Sequence, residues 1–142
     1  MRAVTMAGLL SGLLLATGAS VAAHHAFAAE FDPARPVHFK GVLQRIEWVN
    51  PHSWFHVDVK KPDGTVESWA IEAGTPNVLF RRGITRDTFK IGVEVIVDGY
   101  QAKNGSKRAN GRDITTADGH KFFLGSSGTG APYEGGEGQA PR

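Results

Sequence analysis

Apolar and polar residues alternate with a period of two along most of the chain, in short runs broken by Gly, Pro, Asn and Asp. That is the signature of short half-buried strands joined by turns. The first run, "VHFKGVLQRIEWV" from Val37 to Val49, predicts a strand with Val42, Ile46 and Trp48 on one face. Gly41 inside it marks a bulge or sharp bend, and Pro51 of "NPH" ends it because proline cannot donate to a central ladder. "SWFHVDVK" follows, with Phe55, Val57 and Val59 on one face and Trp54, His56 and Asp58 on the other. "KPDG", Lys61 to Gly64, has turn residues where a turn needs them, and "TVESWAIE" returns as the second arm of a hairpin.

The period then changes. "TPNVLFRRG", Thr75 to Gly83, predicts one short helix: Thr75 caps it, Pro76 suits its first position and Gly83 the position past its end. Val78 and Leu79 face the core, and Arg81 and Arg82 complement the helix dipole. After an irregular stretch, "VEVIVDGYQAK" predicts a strand with Val93, Val95 and Val97 on one face. "NGSK" gives a tight turn, and "RDITTADGHKFFL" a last pair of short strands around Asp118 and Gly119. Three strands, a helix and two or three more strands describe an all-β fold, a small OB-like barrel of five to six strands. A sandwich would have about seven strands and no inserted helix.

The two ends do not belong to that pattern. Arg2 is followed by a leucine-rich apolar run from Val4 to Ala16, then by small residues, as in a cleaved secretory signal over residues 1–23. Val21 and Ala23 fit a cut before His24; Ser20 and Ala22 equally fit a cut before Ala23. The run is too short and too interrupted by Gly, Ser and Thr to span a bilayer comfortably, so no membrane span is expected after cleavage. The expected organisation is a barrel domain over 24–124 and a disordered glycine-rich tail over 125–142. The expected location is periplasmic or secreted.

Charge and composition narrow the chemistry. There are 16 Lys+Arg, one of them Arg2 in the removed segment, against 14 Asp+Glu. Such a balance argues against a nucleic-acid partner. With Cys 0, disulfides, thiolate zinc sites and cysteine nucleophiles are all excluded. No Gly-x-Ser-x-Gly elbow, His-Glu-x-x-His helix or phosphate-binding loop is present. The carboxylates Glu47, Asp58 and Glu72 are scattered, although Asp58 and Glu72 have the positions to face each other across the hairpin. A non-enzymatic protein is expected, with a copper-dependent oxidase the remote exception.

"HHAFAAEFD", "GVLQRIEWVNPH", "DVKKPDG", the stretch from Pro76 to Gly83 and "GYQAKNGSKRA" together resemble the domain-of-unknown-function 6152 family, over roughly residues 24–123. The resemblance implies a small exported bacterial protein with an OB-like barrel and no assigned activity.

Two kinds of site remain. An OB-like barrel binds across its face and adjoining loops, often by stacking on aromatics. Trp48, Asn50, His52, Trp54, Trp69 and Arg82 are the ligand-binding set on that reading, with a small molecule or a partner protein as ligand. The plain alternative is that tryptophans in strands belong to the core. The second site is a copper or zinc centre at His24, His25 and His52. A cut before His24 gives an α-amine and an imidazole on one residue; a cut before Ala23 places His25 third, ready to chelate Cu(II) through two backbone amides. His52 supplies a distant nitrogen, and His38 and His56 are weaker donors. The alternative is that all these histidines are incidental.

Overall fold

The computed structural model describes residues 26–125 and 131–132. The signal expected over residues 1–23, His24 and His25 therefore lie outside the described residues, as does most of the tail. Residues 26–30 form a helical turn. It leads into β1 (Phe31–Glu47), β2 (Trp54–Lys60), β3 (Val66–Glu72), α1 (Pro76–Arg81), β4 (Glu94–Ala102), β5 (Arg108–Thr116) and β6 (Lys121–Phe123). The strands make one sheet in the order β3-β2-β1-β4-β5-β6, with antiparallel neighbours, and β3 also pairs with β5 in parallel. The predicted order of strands and helix is the observed one. No helix among the described residues is long and apolar enough to cross a membrane.

β1 is longer than its pattern suggested, and its faces differ. It begins at Phe31 despite Pro33 and Pro36: Pro33 lies in a register shift of the β1–β4 ladder, which resumes with Pro36 opposite Tyr100. Val42 is exposed, whereas Leu43 is fully buried. The cause is an irregularity at Gln44: Leu43 pairs with Val57 and Arg45 with His56, leaving one extra residue on β1. A bulge of this kind swaps the faces of everything beyond it. Val37, Phe39 and Leu43 point inward before it, Ile46 and Trp48 after it. Gly41 is no bulge. It sits where β1 passes from β4 to β2, and a Cβ there would lie 2.6 Å from both Asp58 O and Val57 Cγ1.

The remaining elements follow their patterns, except that Val78, expected in the core beside Leu79, is only half-buried. Thr75 Oγ1 accepts a hydrogen bond from Val78 N at 3.2 Å, Pro76 opens α1, and Gly83 takes φ +81 just past its end. α1 buries Leu79 in the main core with Phe55, Val57, Ile71, Val95, Val97 and Ile114. Full burial of each such side chain contributes about 1.5–3 kcal/mol. β5 is a nine-residue strand starting at Arg108, longer than the short arm expected. A second, smaller cluster joins Phe27, Phe31 and Ala102 to Ala131, with Tyr100 packed against it. One residue of the glycine-rich tail is thus buried at the start of the described chain.

Candidate functional site

β2, β3 and β5 meet at Glu72. Trp54 opposes it on β2 and Asn110 on β5, so the carboxylate stands at the junction of an antiparallel and a parallel ladder. Inward-facing Trp69 and Ile71 put Glu72 on the other face of β3, yet its side chain is only 8% exposed. The loop between β1 and β2 brings His52 over it, with Nδ1 2.9 Å from Glu72 Oε1. Arg108 lies over the Trp54 ring at 4.9 Å and pairs with Glu30 at the end of the helical turn. The adjoining Ser53 hydroxyl is buried, without a hydrogen-bond partner among the described residues.

Burial sets the electrostatics of this cluster. It raises the Glu72 carboxyl from 4.5 to about 7, with the Glu30 charge adding to the shift and Arg108 opposing it. Burial also lowers the His52 imidazole, against the pull of Glu30. Both groups are pushed toward their neutral forms.

The sequence-predicted residues do not share one site. His52 and Trp54 gather around Glu72. Trp48 is half-buried at the end of β1, stacked on Phe80 at 5.2 Å with Arg86 over its ring. Trp69 is buried in the core against Phe39, with Lys107 over its outer face. Arg82 caps α1, lies 4.4 Å over the Phe123 ring and donates to Gly125 O. Asn50 is exposed, joined to Pro51 by a cis peptide. Asp58 does not face Glu72: it pairs with Ser68, whose hydroxyl donates to it at 2.6 Å.

The other histidines are engaged elsewhere. His38 Nδ1 is 2.6 Å from Asp98 on an exposed face. His56 Nε2 is 3.1 Å from Glu47 and 3.2 Å from Arg45 Nη2, and burial lowers its pKa. Among the described residues, no three His, Asp or Glu side chains converge as a metal site. A separate cleft of about 470 Å³ lies between the loop before β4 and the β5–β6 turn, floored by Phe89 and Phe122 and rimmed by Lys90 and His120. It contains none of the predicted residues.

A family model described as a family of unknown function, DUF6152, matches residues 12–111. The chain belongs to that family. The DUF6152 match includes Glu30, His52, Trp54, Glu72, Arg108 and Asn110, the whole of the cluster around Glu72. It ends before Phe122 and His120 of the cleft. No curated protein matches this DUF6152 chain.

Glu30, Glu72 and Arg108 were not singled out as binding residues from the sequence. Alternation along β3 gives Glu72 an outward position and hence an ordinary solvated carboxylate. Its burial comes from His52 and Arg108, which are distant in sequence, so no local signal encodes it.

Proposed function

We propose that this DUF6152 protein is an exported, OB-like barrel that binds a ligand beside His52, Trp54, Glu72 and Arg108 and carries out no reaction of its own. The observation that carries the reading is the buried Glu72 carboxyl, raised to about 7 and in contact with a part-exposed imidazole. Perturbed pairs of this kind concentrate at functional sites. The barrel reading is supported by the pairings, which run β1–β2–β3–β5–β4 and return to β1. Export is supported by the signal-like pattern of residues 1–23. The test is an amide NMR titration of the signal-cleaved chain with small anions, sugars and divalent metals. Shifts centred on His52, Trp54, Glu72 and Arg108 are expected. Shifts confined to the Phe89–Phe122 cleft would sink the assignment.

One observation favours a second reading, a periplasmic copper or zinc binder. Glu30 acts through space on both His52 and Glu72, so the last residue of the helical turn of 26–30 lies close to the pair. Five helical residues advance only about 6 Å from first to last. His24 and His25 immediately precede that turn. An N-terminal amine, their imidazoles and His52 form a donor set suited to Cu(II) or Zn(II). Copper affinity that is lost in His24→Ala, and lost when an N-terminal extension blocks the amine, is the expected result. Affinity untouched by both changes would remove the N-terminal chelate.

A further inference from the structure

The cleft beside the β5–β6 turn is a second concavity, well away from Glu72. Arg108 opens β5 and Thr116 closes it, so roughly 25 Å of strand separates the two places. The cleft's volume of about 470 Å³ falls within the range of small-molecule sites. Its floor is aromatic: the Phe89 and Phe122 rings meet edge to face at 5.0 Å, and Phe55 backs Phe89 at 5.7 Å. Phe89 is buried, whereas Phe122 and Val93 are half-buried and leave apolar surface in the lining.

Both walls are held in place by their own hydrogen bonds. On one side Thr85 N donates to Thr88 Oγ1 at 2.7 Å, and that hydroxyl donates to Gly83 O at 3.2 Å. On the other, Asp118 Oδ1 accepts from Thr116 Oγ1 at 2.5 Å and from His120 N at 3.2 Å, while Gly119 takes φ +86. A cleft walled in this way is formed before any ligand arrives.

Charge selects the ligand. The ionisable side chains of the lining are Asp87, Lys90, Glu94, Asp118 and His120. Lys40 Nζ, 2.6 Å away, neutralises Glu94. Asp118 uses only Oδ1 in the turn, and the Asp87 carboxylate has no partner among the described residues. Two carboxylates therefore stand against Lys90, beside a floor of rings. Cations are drawn to ring faces as well as to carboxylates. A carboxylate ligand would gain from Lys90 and lose to both acids.

We propose that this cleft binds a small organic cation, its apolar or aromatic body packed on Phe89 and Phe122 and its charge held at Asp87 and Asp118. The site is separate from the one around Glu72 in its residues, its ligand and its end of β5.

The experiment is an amide NMR titration of the full signal-cleaved chain at about pH 8, where an ordinary histidine is uncharged. Three probes of similar shape are compared: 2-phenylethylammonium, 2-phenylethanol and 3-phenylpropionate. The cation should bind tightest and the carboxylate weakest, with shifts centred on Phe89, Thr116, Ala117 and Phe122. Raising salt from about 20 to 300 mM should weaken the cation and leave the alcohol unchanged. Asp87→Asn should weaken the cation about two- to fivefold, and Lys90→Gln should strengthen it by a similar factor. Both side chains are exposed, so neither change threatens the fold. The alcohol should bind both variants as it binds the parent. Equal affinity for the three probes, or tighter binding of the carboxylate, would overturn the cation class. Parent-like binding by Asp87→Asn would overturn the role of Asp87. Shifts only around His52, Trp54, Glu72 and Arg108 would overturn the proposal and favour the site proposed there. An unmoved cleft with every probe would overturn it and leave that other site standing.

Discussion

Glu72 occupies a position that alternation along β3 assigns to solvent, yet its carboxyl is raised from 4.5 to about 7 by burial. A raised acid holds its proton more tightly in the folded chain. Its contribution is complete below about 4.5 and is lost as pH climbs through 7. For the metal-free protein, this group alone removes on the order of 3 kcal/mol of stability across that window. His52 has the opposite sense: its lowered pKa costs stability as pH falls below 6.5. Glu72→Gln separates the two. Urea midpoints should show the variant gaining on the parent protein as pH rises from 4.5 to 8, and a flat difference would mean that Glu72 titrates normally. From the sequence, His52 was legible as a residue projected by a loop and Trp54 as an outward strand residue. Glu72 was not, because what buries it comes from β5 and the β1–β2 loop.

Local chemistry was most legible where it is most local. Thr75, Pro76 and Gly83 bound α1 as expected, and Gly64 takes φ +86 in the Lys61–Gly64 turn. Thr75→Ala should cost about 1 kcal/mol in denaturant unfolding by stripping the cap from Val78 N. β1 was the least legible strand. Its inward-facing apolar residues fall at odd positions before Gln44 and at even ones after it, so a single period fitted to the run puts Val42 on the wrong side. The same strand explains Gly41, which has β2 backbone against it where β1 changes partners. Gly41→Ala should destabilise by about 1–3 kcal/mol through overpacking, measurable as a lowered urea midpoint with an unchanged slope. An unaffected midpoint would mean that β2 can move aside.

For the molecule as a whole, the order of elements was readable from turn residues and periods, whereas the pairing of β3 with β5 was not. Residues 70–72 and 108–110 meet across a helix and one strand, and nothing in either segment names the other. The second cluster was equally hidden, since Ala131 comes from a stretch too poor in apolar residues to predict any packing. Phe31 is its largest fully buried side chain, and Phe31→Ala should cost about 3–5 kcal/mol in thermal or urea unfolding. A loss below about 1 kcal/mol would show that this cluster adds little. Phe27 and Ala131 meet in that cluster, which brings the two ends of the described chain side by side. Neighbouring ends can be joined. A circular permutant, with residues 132 and 26 linked by a few Gly and Ser and new termini opened between Asp63 and Gly64, should retain the same strand order. It would lack His24 and His25, so whatever it still binds owes nothing to them or to the proposed cleavage beside them.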